Sequence, residues 1–569
     1  MAALRGGRRR AALVLGSGLL LMPVACTPDD APPDPGTVVD LLDPEWSSTP
    51  GVTVDGNGLL VSGTARSIVE QDGGGGQPDP AVHLVGTHLE VGGDFTLAAT
   101  ISDVTGDASW AVHDRPPVIA DEFRIEPAGL RLTIDGADLE IAVFDQTPQQ
   151  LVTSPQPAYE QHVEIADGAA ILEVRRTGDT LEVASGPDTV WSEPLGDLFT
   201  SGKLWMGLSS TSGSFRVDSL TASAPGNTRL TTAGPAAGRV TPSGDGLQAL
   251  ATRTRPDFLI GAAVALGPLA SDLDYAQELV DNFGAVTPEN AMKPQALSPQ
   301  QAVYTFEEAD AILALAEENG LAVHGHTIAF SEAMPAWMQE LPTDSVLERR
   351  ASAEALIDYV TTVVTHFKGR LASLDVVNEP FDVDQGTSFQ QNIWYRTFGP
   401  GYPAVVSRAV HEADPEVLQF INENGADVPG PRQDALLDLA LDTNAEGGYI
   451  DGVGLQAHVY DLATDAISAE DLDASLTRFQ DAGLLVRISE NDVTDDDGTD
   501  AQAQQYATIL SSCLRSRACV SYTTWGIDDR YNWWIDDDGT LRQGHDFLFD
   551  DGRPTPAYDA MRAALRDVR

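Results

Sequence analysis

Positive charge is scarce in this 569-residue chain: 34 lysine and arginine residues stand against 86 aspartate and glutamate residues, which gives a formal net charge of −52 at pH 7. A surface of that sign repels nucleic acid and anionic lipid. The charge therefore excludes nucleic acid as a natural partner and favours a neutral ligand over a polyanionic one. Hydrophobic and charged contents of 42% and 21% are ordinary for globular protein, so disorder is not the expectation.

Long apolar runs are missing beyond the N-terminus, so we expect no transmembrane helix. The first 26 residues join a basic head (5–10) to an apolar stretch (11–22) and Ala25-Cys26. The stretch is too short to span a bilayer and is typical of a signal peptide for export. Cys26 directly follows Ala25, as at a bacterial lipoprotein cleavage site, although Pro23 replaces the usual leucine. We therefore predict an extracellular or surface protein that contacts membrane only through a lipid on Cys26.

Cysteine is also rare, with three residues in the whole chain. If Cys26 carries lipid, Cys513 and Cys519 remain as a pair six positions apart. In an exported protein such a pair favours a disulfide. The alternative is two buried free thiols.

The length predicts two or three domains. Residues 27–36 form a Pro- and Asp-rich tether, and 225–252 are a linker rich in Gly, Thr, Ala and Pro. Between them, 37–224 contain short alternating strands and hairpin signals, such as the Asp135-Gly136 turn, which predict an all-β, jelly-roll-like sandwich. Its last strands resemble those of concanavalin-like lectin folds. A carbohydrate-binding module and a spacer without a ligand are both consistent with this pattern.

Residues 253–569 alternate between apolar strands and helical stretches, which predicts a (β/α)8 TIM barrel. The eight predicted strands are 258–264, 283–287, 321–326, 372–378, 417–422, 452–456, 484–489 and 520–525, with helices such as 306–319, 352–367 and 501–514 between them. The alternative is a doubly wound open sheet. That fold would place a Gly-rich phosphate loop after its first strand, and 261–264 (GAAV) is not one.

Two glutamates each end a predicted buried strand: Glu379 closes LDVVNE, and Glu490 closes LLVRISE. Burying a carboxylate costs several kcal/mol unless it is compensated. Catalytic groups of parallel barrels lie at the C-terminal ends of the strands. Two carboxylates at one such mouth are the minimum set for cleaving a glycosidic bond. The alternative for either residue alone is a solvated loop side chain.

With these strand ends the chain resembles glycoside hydrolase family 10, the xylanase-type barrels, over residues 253–569. The similarity rests on an ordered set of segments: 287–293 (TPENAMK), 325–327 (GHT), 375–379 (DVVNE), 421–424 (INEN), 452–458 (GVGLQAH), 488–492 (ISEND) and 524–528 (TWGID). The resemblance implies a retaining endo-1,4-β-xylanase. It assigns Glu379 as general acid/base and Glu490 as nucleophile.

The resemblance also implies supporting roles. Asn378 would bind the sugar 2-hydroxyl, and His458 and Gln456 would orient Glu490. Substrate contacts would come from Glu289, Asn290, Lys293, His326, Trp525 and Trp533. Each of these residues also has an ordinary structural explanation, as a helix cap, a core histidine or a core tryptophan. No metal or organic cofactor is implied, and we expect a monomer that acts on a polysaccharide or oligosaccharide.

The segment after the third strand departs from the family pattern. Where the family usually reads GHTLVWHxQ, this chain reads GHTIAFSEA, with Phe330, Ser331 and Ala333 in place of Trp, His and Gln. Leu374 likewise stands where a Trp is frequent. These changes affect contacts to the sugar before the scissile bond and leave xylan itself open as the substrate. Alternatives are a β-glycanase of altered specificity and a non-catalytic glycan-binding surface lipoprotein.

Overall fold

The computed structural model describes residues 240 and 242–567, except 383–385, 495–499 and 533–545. In the N-terminal half it describes 37–40, 52–55, 58–62, 66–67, 78–79, 83–91, 93–113, 118–120, 123–125, 129–144, 157–165, 169–194, 198–199, 203–210, 213–225 and 230–233. The predictions for the signal peptide, the tether, Cys26 and Trp533 lie outside these residues.

Two antiparallel sheets make up the N-terminal half. One has eight strands: Asp188–Pro194, Thr180–Ser185, Ala169–Thr177, Phe95–Thr105, Ser214–Ala224, Gly58–Ser62 and Val52–Asp55 in spatial order, with Thr37–Asp40 also paired to Ser214–Ala224. The other has seven: Tyr159–Glu164, Asp138–Phe144, Gly129–Asp135, Asp107–His113, Lys203–Ser209, His83–Val91 and Leu230–Ala233. Two short pairs are Val118–Ala120 with Phe123–Ile125 and Arg66–Ser67 with Pro78–Asp79.

The two sheets share one apolar core, consistent with the predicted sandwich. Leu97 and Val174 from the eight-stranded sheet belong to the same buried cluster as Trp110 and Leu132 from the seven-stranded sheet. The predicted hairpin at Asp135–Asp138 is present. Its glycine has φ of 61°, a conformation that glycine adopts without steric cost.

Eight parallel strands close into a barrel in chain order, which confirms the predicted fold. We number them β1 to β8: Leu259–Val264, Ala285–Pro288, Ala322–Gly325, Ser373–Asn378, Leu418–Glu423, Gly452–Leu455, Leu485–Asn491 and Cys519–Thr524. Each lies within a few residues of its predicted range. A phosphate-binding open sheet is thereby excluded for this region.

Helices follow the barrel strands and bury their apolar faces against them. The α-helices are Leu247–Thr254, Leu266–Ser271, Leu273–Asn282, Pro294–Leu297, Glu307–Glu318, Ala336–Gln339, Val346–His366, Ile393–Phe398, Tyr402–Ala413, Pro431–Ala445, Ala469–Asp481, Asp500–Arg515 and Pro556–Asp567. Short 3-10 turns span Gly399–Gly401 and Asp529–Tyr531, and Phe549–Asp550 pairs with Arg553–Pro554. Among the helices of the described residues, none has both the length and the apolar character that crossing a bilayer requires.

One helix begins earlier than the sequence pattern predicted. It starts at Val346 instead of Ser352, because Ser345 and Glu348 form a capping box. The Ser345 hydroxyl accepts the Glu348 amide at 3.2 Å, and the Glu348 carboxylate accepts the Ser345 amide at 2.7 Å. These two bonds satisfy backbone donors that would otherwise lack partners.

The predicted disulfide is present between Cys513 and Cys519, with Cα atoms 5.2 Å apart. Cys513 lies in the last turn of helix Asp500–Arg515, and Cys519 begins β8. The bond therefore ties that helix to the strand it precedes, inside the barrel core.

Candidate active site

Glu379 and Glu490 lie at the same mouth of the barrel, because parallel strands in a closed barrel end on one side. Glu379 directly follows β4, and Glu490 is the second-last residue of β7. The Glu379 amide donates to the Asn422 carbonyl of β5 at 2.9 Å, and the Glu490 amide to the Gln456 carbonyl after β6 at 3.1 Å. Glu379 has φ of 48°, a strained conformation for a residue other than glycine and one that is typical of functional sites.

The Glu490 carboxylate is buried, with 5% of the residue exposed, and both of its oxygens are bound. Asn422 Nδ2 donates to Oε1 at 2.5 Å, and His458 Nε2 lies 3.1 Å from Oε2. Asn422 Nδ2 also donates to Asn378 Oδ1 at 2.8 Å, and its own Oδ1 accepts the Ser489 hydroxyl at 2.7 Å. These bonds fix the carboxylate and link it to the residue before Glu379.

His458 carries a positive charge at this site. Its Nδ1 lies 2.6 Å from Asp492 Oδ1, so each ring nitrogen faces a carboxylate. Burial lowers the pKa of His458, but the Asp492 charge and the two hydrogen bonds outweigh burial and raise the pKa well above its ordinary value. The imidazolium therefore donates from both nitrogens.

The charged histidine keeps Glu490 ionised. Burial alone would raise the pKa of Glu490, but the hydrogen bond from His458 and the electrostatic contributions of His326 and His458 outweigh burial, and the pKa lies below its ordinary value. Glu490 is therefore a carboxylate over the whole neutral and mildly acidic range.

Glu379 has the opposite protonation preference. Burial and the negative charge of Glu332, with a contribution from Glu490, raise the pKa of Glu379 to about 7, against a lowering by its hydrogen bond with Gln456. Gln456 Nε2 donates to Glu379 Oε1 at 2.7 Å. The sequence-based expectation placed the Gln456 side chain at Glu490. The Gln456 side chain bonds Glu379 instead, and its backbone carbonyl accepts the Glu490 amide.

The predicted sugar-binding residues gather on the ends of β2, β3 and β8. Asn290 Nδ2 donates to Glu289 Oε1 at 3.2 Å, and buried Lys293 has Nζ 5.9 Å from the centre of the Phe330 ring. His326 packs edge-on against Trp525, with ring centres 5.2 Å apart.

Asp375 holds the His326 ring in place by a hydrogen bond, with Asp375 Oδ2 2.9 Å from His326 Nδ1. His326 lies close enough to both glutamates to lower their pKa values, and Trp525 packs against it. Trp533, the remaining predicted contact, is outside the described residues.

The loop that departs from the family pattern is buried beside this cluster. Phe330 and Ala333 are 6% and 3% exposed, and Gln295 N donates to the Ala333 carbonyl at 3.0 Å, which joins the loops after β2 and β3. The buried Ser331 Oγ has no hydrogen-bond partner among the described residues. Leu374 is a buried core side chain.

The sequence analysis missed three residues that position the two glutamates or shift their pKa values. Asn422 and Asp492 stood within quoted strand-end motifs, and their polar side chains on buried strands were a usable signal. Glu332 was not recognisable, because its effect on Glu379 depends on how the loop after β3 folds over the mouth.

One group of described residues has metal-ligand spacing: Glu140, Glu160 and His162, with ligand atoms within 4.8 Å of one another. It lies on the sandwich, not in the barrel. His162 bonds Asp138 at 2.6 Å and Glu160 at 3.0 Å, so ion pairing accounts for the arrangement.

Comparisons with known proteins agree with this geometry. The family model for glycosyl hydrolase family 10 matches residues 249–564. Endo-1,4-beta-xylanase C of Phanerodontia chrysosporium is 33% identical over 270 residues, which cover 46% of this chain and 65% of the relative. Endo-1,4-beta-xylanase B of Thermotoga neapolitana is 31% identical over 303 residues, covering 52% of this chain and 84% of the relative.

Solved structures give the same result. The native xylanase 10B of Thermotoga maritima has a TM-score of 0.52 and 29% identity, covering 56% of this chain and 98% of its own. A family 10 xylanase from Bispora sp. MEY-1, solved with xylobiose, has a TM-score of 0.51 and 27% identity, covering 56% and 99%.

The matched segment is more than half of the chain and contains both strand-end glutamates, Glu379 and Glu490. The resemblance seen in the sequence is thereby confirmed. The protein belongs to glycosyl hydrolase family 10, a family of retaining glycoside hydrolases.

Proposed function

We propose that this protein is an endo-1,4-β-xylanase that cleaves internal bonds of xylan with retention of configuration. One observation carries the proposal: two carboxyl groups at one barrel mouth are held in opposite protonation states. The pKa of Glu490 lies below its ordinary value, whereas that of Glu379 is raised to about 7. A retaining glycosidase needs one carboxylate to attack and one carboxylic acid to donate a proton. The relatives named above supply the choice of xylan.

In the first step the Glu490 carboxylate attacks the anomeric carbon and Glu379 protonates the leaving oxygen. The bond to the leaving sugar breaks as an ester to Glu490 forms. His458 and Asn422 hold the attacking carboxylate in place before the reaction, so little reorganisation is required.

In the second step water hydrolyses the ester. The Glu490 charge has disappeared on esterification, so the pKa of Glu379 falls and its carboxylate accepts a proton from water. Configuration at the anomeric carbon is restored by this second inversion. Gln456, which donates to Glu379 Oε1, would hold the carboxylate in both steps.

The remaining predicted residues bind sugar. Asn378 is positioned by Asn422 and would hydrogen-bond the 2-hydroxyl, an interaction that strengthens as positive charge develops on the ring. Glu289, Asn290, Lys293 and His326 would bind hydroxyls of the sugars before the scissile bond. Trp525, and by resemblance Trp533, would stack against sugar faces.

We also propose that the protein is exported, that Cys26 becomes its lipidated N-terminus, and that the chain divides into a sandwich (37–224), a linker (225–252) and the catalytic barrel (253–569). The apolar run at 11–22, which ends shortly before Ala25-Cys26, supports the first two points. Mass spectrometry of the mature protein tests them: an unmodified terminus elsewhere would contradict lipidation.

The decisive test of activity is product analysis of the purified protein on xylan, β-glucans and aryl glycosides. We expect xylo-oligosaccharides of several lengths from xylan, with the β-anomer formed first in NMR spectra. Release of xylose alone would contradict endo action, and initial α-anomer would contradict the double displacement. Glycan binding without any turnover would favour a non-catalytic surface protein.

A further inference from the structure

Exposed aromatic side chains are rare on the barrel domain. Among its described residues, only Tyr449 and Tyr460 are strongly exposed aromatics, at 46% and 41%. They lie near opposite ends of β6, Tyr449 before it and Tyr460 after it. Tyr460 therefore stands at the mouth that holds Glu379 and Glu490, and Tyr449 at the far end of the barrel.

Tyr460 is held in place from three sides. Asn424 Nδ2 donates to its phenol oxygen at 3.1 Å. Its ring lies over the His458 ring, with centres 5.6 Å apart and planes 22° from parallel. The Thr494 hydroxyl donates to its backbone carbonyl at 2.8 Å. A ring fixed in this way loses little conformational entropy when a ligand packs on its open face.

The barrel order places Tyr460 on a definite side of the scissile bond. A line from β4, which carries Glu379, to β7, which carries Glu490, divides the mouth into two parts. One part contains β8 and β1 to β3, with the sugar-binding cluster around Lys293. The other contains only β5 and β6, with Asn424 and Tyr460 at their ends.

The double displacement then places the leaving sugar in the part of the mouth formed by β5 and β6. Under the proposed function, the sugar that becomes attached to Glu490 is bound by the cluster on β2, β3 and β8. The substrate runs on past Glu379, which protonates the oxygen of the leaving portion. Partial burial raises the pKa of the Tyr460 phenol, so the phenol is neutral, and the Glu379 charge makes a smaller contribution in the same direction.

We infer that Tyr460, held by Asn424, is a stacking platform for the neutral sugar ring on the leaving side of the scissile bond. This inference rests on the proposed function. A phenol ring offers an apolar face to the C–H face of a pyranose, and its hydroxyl is already engaged by Asn424. Tyr460 would thus contribute to the cleavage of chains but not to the release of a leaving group without a sugar ring.

The test compares two substrates that share the same donor half. Xylotetraose places sugars on both sides of the bond, whereas β-xylobiosyl fluoride has only fluoride on the leaving side. For Tyr460→Ala we expect the ratio of kcat/KM for xylotetraose to that for the fluoride to fall about 10-fold. Tyr460→Phe and Tyr460→Trp keep a ring and should lower the ratio by no more than about 3-fold, the loss expected when the bond from Asn424 is absent.

Tyr449→Ala is the matched control, because Tyr449 is equally exposed and also stacks on a histidine, His411, at 3.6 Å between ring centres. It should leave the ratio unchanged. If Tyr460→Ala does not fold, as judged by circular dichroism, Asn424→Ala provides a second variant: freeing the phenol should lower the ratio about 3-fold.

An equal loss on both substrates for Tyr460→Ala, with a shifted pH profile, would mean that Tyr460 only shields His458, and it would overturn the inference while the xylanase proposal stands. Failure of the natural protein to cleave either substrate would instead overturn the proposed function and this inference with it.

Discussion

His458 Nε2 lies 3.1 Å from Oε2 of Glu490, and this contact distinguishes the ionisation of Glu490 from that of Glu379. The imidazole is kept protonated by Asp492 on its other side. A positive charge next to Glu490 favours its ionised form, whereas Glu379 has a glutamine partner and a negative neighbour, Glu332. Two residues of the same type thereby have pKa values shifted in opposite directions.

His458→Asn is expected to reduce kcat/KM by about 10- to 100-fold, since a charge-assisted hydrogen bond contributes about 1.5–3 kcal/mol. The pKa of Glu490 should rise when the positive charge is lost, so the acidic limb of the pH–rate profile should move to higher pH. His411→Asn, at the far end of the barrel, serves as control. An unchanged acidic limb would show that His458 does not control the ionisation of Glu490.

The basic limb of the pH–rate profile should report Glu379. The acid must be protonated to donate, so kcat/KM should fall as pH rises through about 7. Glu332→Gln removes a negative charge and should move this limb to lower pH. Gln456→Met removes a donor to the carboxylate and should move it to higher pH.

Glu340→Gln is the control for Glu332→Gln, because it removes a negative charge at an exposed position after the loop that holds Glu332. It should leave the basic limb unchanged. Shifts of the two variants in the same direction would contradict the assignment of the limb to Glu379.

Replacement of the two glutamates should give different kinetic patterns. Glu379→Ala should slow substrates with poor leaving groups far more than activated aryl glycosides, because only proton donation depends on leaving-group basicity. Azide should restore turnover and give a β-glycosyl azide. Glu490→Ala should abolish turnover of both substrate classes, with at most the inverted azide product. Uniform loss in both variants without an azide effect would contradict the roles.

The loop after β3 should determine whether the protein prefers linear or decorated xylan. Phe330 lacks the indole N–H donor of tryptophan, and Ser331 Oγ is buried without a partner among the described residues. We therefore expect fewer hydrogen bonds to the sugars before the scissile bond. Each neutral bond contributes about 0.5–1.5 kcal/mol.

We expect the combined replacement Phe330→Trp, Ser331→His and Ala333→Gln to raise activity on linear xylo-oligosaccharides relative to decorated ones. Ordinary efficiency of the natural protein on linear xylan, with an unchanged ratio in the variant, would show that this loop does not set specificity.

The disulfide should stabilise the barrel without affecting chemistry, because Cys513 and Cys519 lie in the core away from both glutamates. Closing so short a loop contributes about 2 kcal/mol in the chain-entropy model. The double variant Cys513→Ala/Cys519→Ala should unfold in urea with a free energy lower by about that amount and keep its kcat/KM. Alkylation of both cysteines in the native protein before reduction would show that the bond is not formed.

Local sequence determined much of the fold. Mainly apolar runs of five to seven residues marked all eight barrel strands, since a strand buried on both faces is apolar along most of its length. The Asp135-Gly136 turn marked a hairpin, because glycine adopts positive φ without cost. The early start at Val346 was also encoded locally by Ser345 and Glu348, but the hydrophobic pattern that predicted the helix begins six residues later, at Ser352.

Tertiary structure alone decided the site's electrostatics. The sequence placed Glu379 and Glu490 at strand ends, but their pKa values depend on Asp492 behind His458, on Glu332 in a loop from β3 and on burial at the mouth. Gln456 proved to contact Glu379 with its side chain, and Tyr460 proved to lie after β6, between the strands that carry the two glutamates. Charges and contacts of this kind act through space between strands far apart in the chain, so no local pattern records them.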